Sequence, residues 1–458
     1  MISRNPSFRI LAPHAWGLLG VALLACSSSD EKRARSMETD AGDAGAVQQA
    51  DAASEVGDAG QDAGDAAAAL PPPQPYDFAV TCTANPCVTR IAASGGGHTC
   101  AVLQDGTVRC WGANVSGQLG TGASDAGPAS EYEATPRRVV GVSNATSVAA
   151  AGRGSSGSSC VVSATGEVAC FGSNVWGQLG RASAPSNEAQ PEPVVIDALR
   201  AKSVTLAGKF ALALGTDDRL WSWGTNDAFQ LARQPSVPPA GPSSPPARAD
   251  TISSSVRACA GTGRNGFVVG DTGDLLSWGG GTAEQLGRVS SLRQDPLPAR
   301  VALSGVSSVT AGATHACALT PGSVHCWGGT NEHGQLGTGV RAQEMLPARV
   351  ALPKDVYPVA VAAGGDGACA IAATGELYCW GANGAGQLGI ETRQDQPNPT
   401  RIEGLTEQVV GVAVMDDAVC ALLRGGSVAC WGDNLLGQLG RGSRDGDIHL
   451  EAAPVVFQ

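Results

Sequence analysis
The feature that most constrains this chain is an internal repeat. An aromatic-Gly pair recurs seven times, at Trp111-Gly112, Phe171-Gly172, Trp223-Gly224, Trp278-Gly279, Trp327-Gly328, Trp380-Gly381 and Trp431-Gly432. The spacings are 60, 52, 55, 49, 53 and 51 residues. Five residues before each aromatic stands a turn residue: Gly106, Gly166, Asp218, Gly273, Gly322, Gly375 or Gly426. Seven residues after it, or eight in the fifth copy, stands Gln118, Gln178, Gln230, Gln285, Gln335, Gln387 or Gln438, always followed by Leu. Such a period marks tandem units that bury their apolar faces against their neighbours.

Each unit reads as short β-strands. Residues 100–112 alternate around Asp105-Gly106, a hairpin signal. Residues 147–152 and their equivalents are runs of small residues, suited to strands that crowd at an axis. A Pro opens a further strand at Pro136, Pro298, Pro347, Pro399 and Pro454; lacking a donor, it suits a sheet edge. No stretch keeps a helical period, and 62 Gly with 27 Pro in 458 residues exclude a helical bundle or coiled coil. The expected fold is all-β: a seven-bladed β-propeller of four-stranded blades over residues 79–458. The last strand, 454–457, is expected to close the ring by pairing with the first blade.

His98-Thr99, Asp105-Gly106, Trp111-Gly112, Asn114 and Gly117-Gln118-Leu119-Gly120 resemble the regulator of chromosome condensation repeat family. The resemblance extends over about residues 90–458 and implies a seven-bladed β-propeller. Copy 3 departs furthest, with Phe229-Gln230-Leu231-Ala232.

The first 25 residues read as a lipoprotein signal peptide: Arg4 and Arg9, then an apolar run broken by Pro13 and His14, too short to span a membrane. Leu23-Leu24-Ala25-Cys26 resembles a bacterial lipobox, which implies lipid attachment at Cys26; the rival is a plain secretory signal with a chance Cys. Ser27 lacks the acidic inner-membrane retention signal, which points to the outer membrane or cell surface. Residues 26–78 read as a disordered Asp/Ala/Gly-rich linker. From Ser36 to Phe78 there are nine acids and no Lys or Arg, too little apolar surface to offset backbone entropy.

Fourteen Cys in an exported chain suggest disulfides. Cys100/Cys110, Cys160/Cys170, Cys317/Cys326, Cys369/Cys379 and Cys420/Cys430 each bracket the hairpin turn. Copies 3 and 4 lack both members together, with Leu212/Ser222 and Phe267/Ser277. The gaps are too long for zinc ligands. Cys82-Cys87 is expected as a sixth pair, and Cys259 as a buried free thiol.

The chemistry is sparse. Gly152–Gly157 and Gly261–Gly266 match Gly-x-Gly-x-x-Gly, but strands follow both, so they read as turns rather than dinucleotide sites. His98 and His315 share one repeat position and read as structural hydrogen-bonding residues. No catalytic residue, metal or cofactor is expected, and a net charge of −12 without a basic run excludes nucleic acid as a main partner. Trp176 and Trp221 fall outside the repeat and are candidate contacts. Arg138, Arg248, Arg300, Arg349 and Arg401 follow the strand-opening Pro by two residues; they read as charged edge guards or as a cationic band for an acidic partner. Variation concentrates at 121–135, 181–192 and 232–248, the first candidates for recognition loops.

The expected function is a cell-envelope lipoprotein whose propeller is a non-enzymatic protein-recognition scaffold. A protein partner is expected first and a glycan second, with membrane contact through the N-terminal lipid alone. Secreted bacterial members of the resembled family include a β-lactamase inhibitor, so an enzyme inhibitor is the first alternative. Guanine-nucleotide exchange, as in eukaryotic members, does not suit an exported chain. A glycan-active enzyme would need convergent carboxylates or a metal cluster.

Overall fold
A computed structural model describes residues 78–122, 130–181, 185–234, 243–281 and 285–457. The expected signal peptide, the expected lipid site Cys26 and the expected linker up to residue 77 lie outside the described residues.

The expected strands form and pair in sequence order. Blade 1 is Val88–Ala93, His98–Leu103, Val108–Ala113 and Tyr132–Arg138, antiparallel neighbour to neighbour. Blades 4 to 7 repeat this order. They begin at Val256–Gly261, Ser308–Ala311, Pro358–Gly364 and Val409–Val414, and end at Gln294–Arg300, Ala348–Arg349, Gln396–Arg401 and Ile448–Pro454. Blades 2 and 3 differ: one strand, Ser186–Leu206, serves both. Its first part is the outermost strand of blade 2, against Glu167–Asn174, and residues 201–206 are the innermost strand of blade 3, against Phe210–Gly215. The two blades therefore share a seven-stranded sheet. The small-residue strands are innermost, each packed on the next, and that of blade 7 returns against that of blade 1.

Closure differs from the sequence expectation. The last strand, Ile448–Pro454, pairs with Val428–Asp433 of its own blade, and Val455 N–H continues to Val428 O at 2.8 Å. Val139 and Val301 make the same bond in blades 1 and 4, so this position is committed to its own sheet. The ring closes from the other end of the chain. The N–H groups of Thr81, Thr83, Ala84 and Val88 donate to the carbonyls of Arg424, Gly425 and Gly426. Phe457 meets Trp111 edge-on at 6.0 Å.

The repeat signature explains how blades lock together. Six repeat tryptophans are fully buried, and each indole N–H donates to the main-chain carbonyl of the preceding blade's Gln. Beneath them lies the last Gly of each Gly-Gln-Leu-Gly. At Gly337, with φ +65°, an added Cβ would lie 2.7 Å from Trp380 Nε1. The Gln side chain accepts from the N–H two residues earlier, as Gln118 does from Ser116, and Asn114 accepts from Leu119. Blade 2 has Phe171, which cannot donate. There Ser159 supplies the missing bond to Gln118 O at 2.9 Å.

Candidate functional site
Strand direction sorts the molecule into two faces. In every blade the turn between the first two strands and the loop after the third lie at one end. The hairpin turns at Asp105-Gly106 and its equivalents lie at the other. The first end is the cavity face. A cavity of about 460 Å³ opens there at the axis, and all seven inner turns contribute to its wall.

The wall is mostly Gly and Ala, with a few charges. Lys209 places its ammonium 4.5 Å from the centre of the Trp176 ring. Arg153 of blade 2 reaches over blade 1 to Asp416 of blade 7 at 2.6 Å. Blade 1 permits this because Gly95-Gly96-Gly97 carry no side chains: a Cβ on Gly95 would lie 2.5 Å from Asp416 Oδ1. Around the rim, the residue preceding each second strand changes sign. Lys209 and Arg264 stand in blades 3 and 4, Thr314 in blade 5, and Asp366 and Asp417 in blades 6 and 7. Burial pushes Asp417 up to about 6, reinforced by Asp433 and Asp416, and burial also raises Asp416 against the pull of Arg153.

The two repeat histidines differ in their bonding. Both are fully buried. His98 sits in a relay: its Nδ1 is 2.7 Å from Ser94 Oγ and its Nε2 is 2.9 Å from Ser159 Oγ. Since Ser159 donates to Gln118 O, the network assigns the proton to Nε2 and leaves Nδ1 to accept. Burial holds His98 down to about 3. The expected hydrogen-bonding role fails for His315, whose two ring nitrogens have no partner. The cause is substitution at both partner positions: Gly312 stands where blade 1 has Ser94, and Ala368 where blade 2 has Ser159. Burial holds His315 down to about 4.

The candidate contacts do not form one site. Trp176 lies on the cavity face. Trp221 packs part-buried against the core, 5.9 Å from Arg248. The arginines end the outermost strands of five separate blades, beside the hairpin turns of the opposite face. Turn carboxylates neutralise most of them. Arg248 pairs with Asp217 at 2.5 Å, Arg300 grips Asp274 with two bonds of 2.9 Å, and Arg401 meets Glu376 at 3.0 Å. Arg138 acts on Asp105, and Arg349 stands opposite His325. This arrangement fits edge guards better than a continuous cationic band. The described parts of the variable segments begin at the cavity end and run into the outermost strands, with 123–129, 182–184 and 235–242 outside the described residues.

The six disulfides pair as the spacing suggests: Cys82-Cys87, Cys100-Cys110, Cys160-Cys170, Cys317-Cys326, Cys369-Cys379 and Cys420-Cys430. Cys259 is free but only partly buried, because it lies on an innermost strand; its Sγ is 3.8 Å from Thr205 Oγ1. In the two blades without a disulfide, Ser222 and Ser277 donate to Leu231 O and Leu286 O, and accept from Arg233 and Arg288. Sequence reasoning missed these arginines; their signal is the Arg two residues after the Gln-Leu pair. Both Gly-x-Gly-x-x-Gly matches bridge the first two strands of blades 2 and 4. Among the described residues no group of three or more His, Cys, Asp or Glu is arranged to hold a metal ion.

Comparisons with known proteins agree with this architecture. The sequence family described as RCC1-like domain matches residues 53–415. The Ultraviolet-B receptor UVR8 of Arabidopsis thaliana is 26% identical over 370 residues, covering 79% of this chain and 80% of that one. The human E3 ubiquitin-protein ligase HERC2 is 28% identical over 358 residues, covering 74% of this chain but only 7% of that protein. The structure of Prp20p from Saccharomyces cerevisiae superposes with a TM-score of 0.64 at 20% identity, over 81% of this chain and 87% of that one. Human WBSCR16 superposes with a TM-score of 0.64 at 23% identity, over 75% and 88%. With more than half of its length matched and a ring of repeat-bearing blades built as described, this chain belongs to the RCC1-like domain family.

Proposed function
We propose that the protein is a non-enzymatic scaffold of the cell envelope that recognises a protein through the cavity face. Export, cleavage before Cys26 and lipid attachment there are part of this reading, as is a linker role for the acidic segment 26–78. One observation carries the choice of face. The described parts of the segments that vary between copies start at the cavity end, whereas residues 81–88 bond to the turn at Arg424–Gly426 at the other end. A rigid scaffold that carries variable loops at one end is built to present those loops. Prp20p, similar in fold, is described with its binding to Gsp1p and histones, which supports a protein as the class of partner. Glycan binding is an outcome of the test rather than a second proposal.

The test is affinity capture from envelope extracts with the full chain as bait. Replacing residues 121–130 and 235–242 by Gly-Ser of equal length, together with Trp176→Ala, should cut retention of the partner about tenfold or more. Charge reversal at Arg138, Arg300 and Arg401 should leave it unchanged. The reverse pattern would move the site to the other face, and retention of nothing by the unaltered chain would contradict recognition altogether.

A further inference from the structure
One of the six disulfides is placed unlike the rest. The ten hairpin cysteines are at most 1% exposed, and each pair spans two strands inside one blade. Cys82-Cys87 joins no two strands. It closes a short loop ahead of the first strand, at the seam between blades 7 and 1. Cys87 is 6% exposed and Cys82 is more open, part-buried only. Thiol–disulfide exchange needs access to one sulfur, so burial shields the hairpin bridges and leaves this one open to attack.

A second observation is what the bridge holds down. Residues 78–84 form a strap on the seam. Thr81 N–H donates to Arg424 O at 2.8 Å, and the N–H groups of Thr83 and Ala84 both donate to Gly425 O at 2.9 Å. Cys82 sits between them at φ +51°, in the left-handed region that costs a residue with a Cβ about 1–2 kcal/mol. Cys87 is fixed to the ring itself. A Cβ on Gly426 would lie 2.6 Å from its Sγ, and the next residue, Val88, bonds to Gly426 O and enters the first strand. The bridge therefore ties the strap to a fixed point. Beside the strap is a cavity of about 470 Å³. Its wall is made by Phe78 and Ala79 of the strap, Arg90 and Ile91 of blade 1, and Val410 and Val412 of blade 7.

We propose that Cys82-Cys87 is a redox latch, reduced by a dithiol of the thiol–disulfide oxidoreductase class, and that its reduction frees the strap and opens the seam cavity. One thiolate of the dithiol attacks Cys82 Sγ, the more open sulfur. The bond to Cys87 breaks, and Cys87 leaves as a thiolate that takes up a proton. The second thiolate of the dithiol then displaces Cys82 Sγ, which is protonated in turn. Two electrons pass to the protein, and the dithiol becomes a disulfide. Without the bridge Cys82 relaxes towards extended backbone, which carries Thr81 and Thr83 out of line with their carbonyls. The bond at Val88 stays and serves as the hinge. This device lies at the hairpin end of the ring and uses none of the recognition loops.

Graded dithiothreitol on the folded full chain tests it, with alkylation and mass spectrometry as the readout. Cys82 and Cys87 should become alkylated at least about tenfold faster than any hairpin cysteine. At that stage the amides of Thr81, Thr83 and Ala84 should exchange hydrogen at least about tenfold faster, while the blade strands keep their protection. Oxidised glutathione should restore the slow exchange. Cys82→Ser combined with Cys87→Ser should show the fast exchange without any reductant and keep the ring folded. Reduction of the hairpin bridges at the same rate would overturn the proposal. So would unchanged exchange at the three amides once Cys82-Cys87 is reduced, or unfolding of the whole ring in the double variant.

Discussion

At the residue scale the two buried histidines form a natural experiment. They share one repeat position, yet one is fully bonded and the other has lost both partners to Gly312 and Ala368. His98→Leu strands the hydroxyls of Ser94 and Ser159 and should cost about 2–3 kcal/mol in denaturant unfolding. His315→Leu removes two unpaired nitrogens and should cost under about 1 kcal/mol. Their titration gives a second readout. Both imidazoles are held below 6.5, so the unfolded chain binds protons that the native chain refuses. Their contribution is complete above about pH 6.5 and is lost as pH falls towards 4, at up to about 1.4 kcal/mol per pH unit each. Asp417 acts in the opposite sense. Its native value of about 6 lies above the ordinary 3.8, so its penalty is present above pH 6 and relieved as pH falls. Removing either histidine should flatten the stability profile between pH 6 and 4 by one proton's slope, and Asp417→Asn should steepen it. Identical profiles in all the variants would contradict these assignments. The sharing of one position by His98 and His315 is plain in the sequence. The orphaning of His315 is not, since it depends on two residues about fifty positions apart in neighbouring blades.

At the scale of the element, blades are joined by an indole-to-carbonyl bond wherever the repeat has Trp, and by a serine where it has Phe171. This exchange predicts a compensation. Trp380→Phe leaves Gln335 O without its donor and should cost about 1–3 kcal/mol, part of it from the lost ring volume. Adding Ala368→Ser recreates the blade 2 arrangement and gives His315 a partner, so the double variant should recover much of the loss. A double-mutant cycle measures the coupling, and simple additivity would contradict the shared role. The Trp, Gln and turn residues were readable because they recur with the repeat. The strand Ser186–Leu206, which contains Pro191 and Pro193, was not anticipated from the repeat. Both prolines lie in its first part, the outer edge of blade 2, where register shifts against the neighbouring strand absorb them. The division into two faces needed only the strand directions, but placing Trp176 on one and Trp221 with the arginines on the other needed coordinates.

For the whole molecule, stapling is uneven. Blades 1, 2, 5, 6 and 7 each hold a buried cross-strand disulfide, whereas blades 3 and 4 rely on Leu212, Phe267 and the Ser-Arg bonds. Each link closes a loop of about ten residues and contributes roughly 2–3 kcal/mol on the chain-entropy account. Reduction should therefore lower the unfolding midpoint and weaken amide-exchange protection in the five stapled blades more than in blades 3 and 4. Uniform loss of protection around the ring would show that the staples do not act blade by blade.

The most direct test of the architecture is disulfide mapping of natively isolated protein by proteolysis under non-reducing conditions and mass spectrometry. The ring predicts the five hairpin pairs and Cys82-Cys87, with the Cys259 thiol free. Links between different blades, or alkylatable thiols at the hairpin positions, would contradict it.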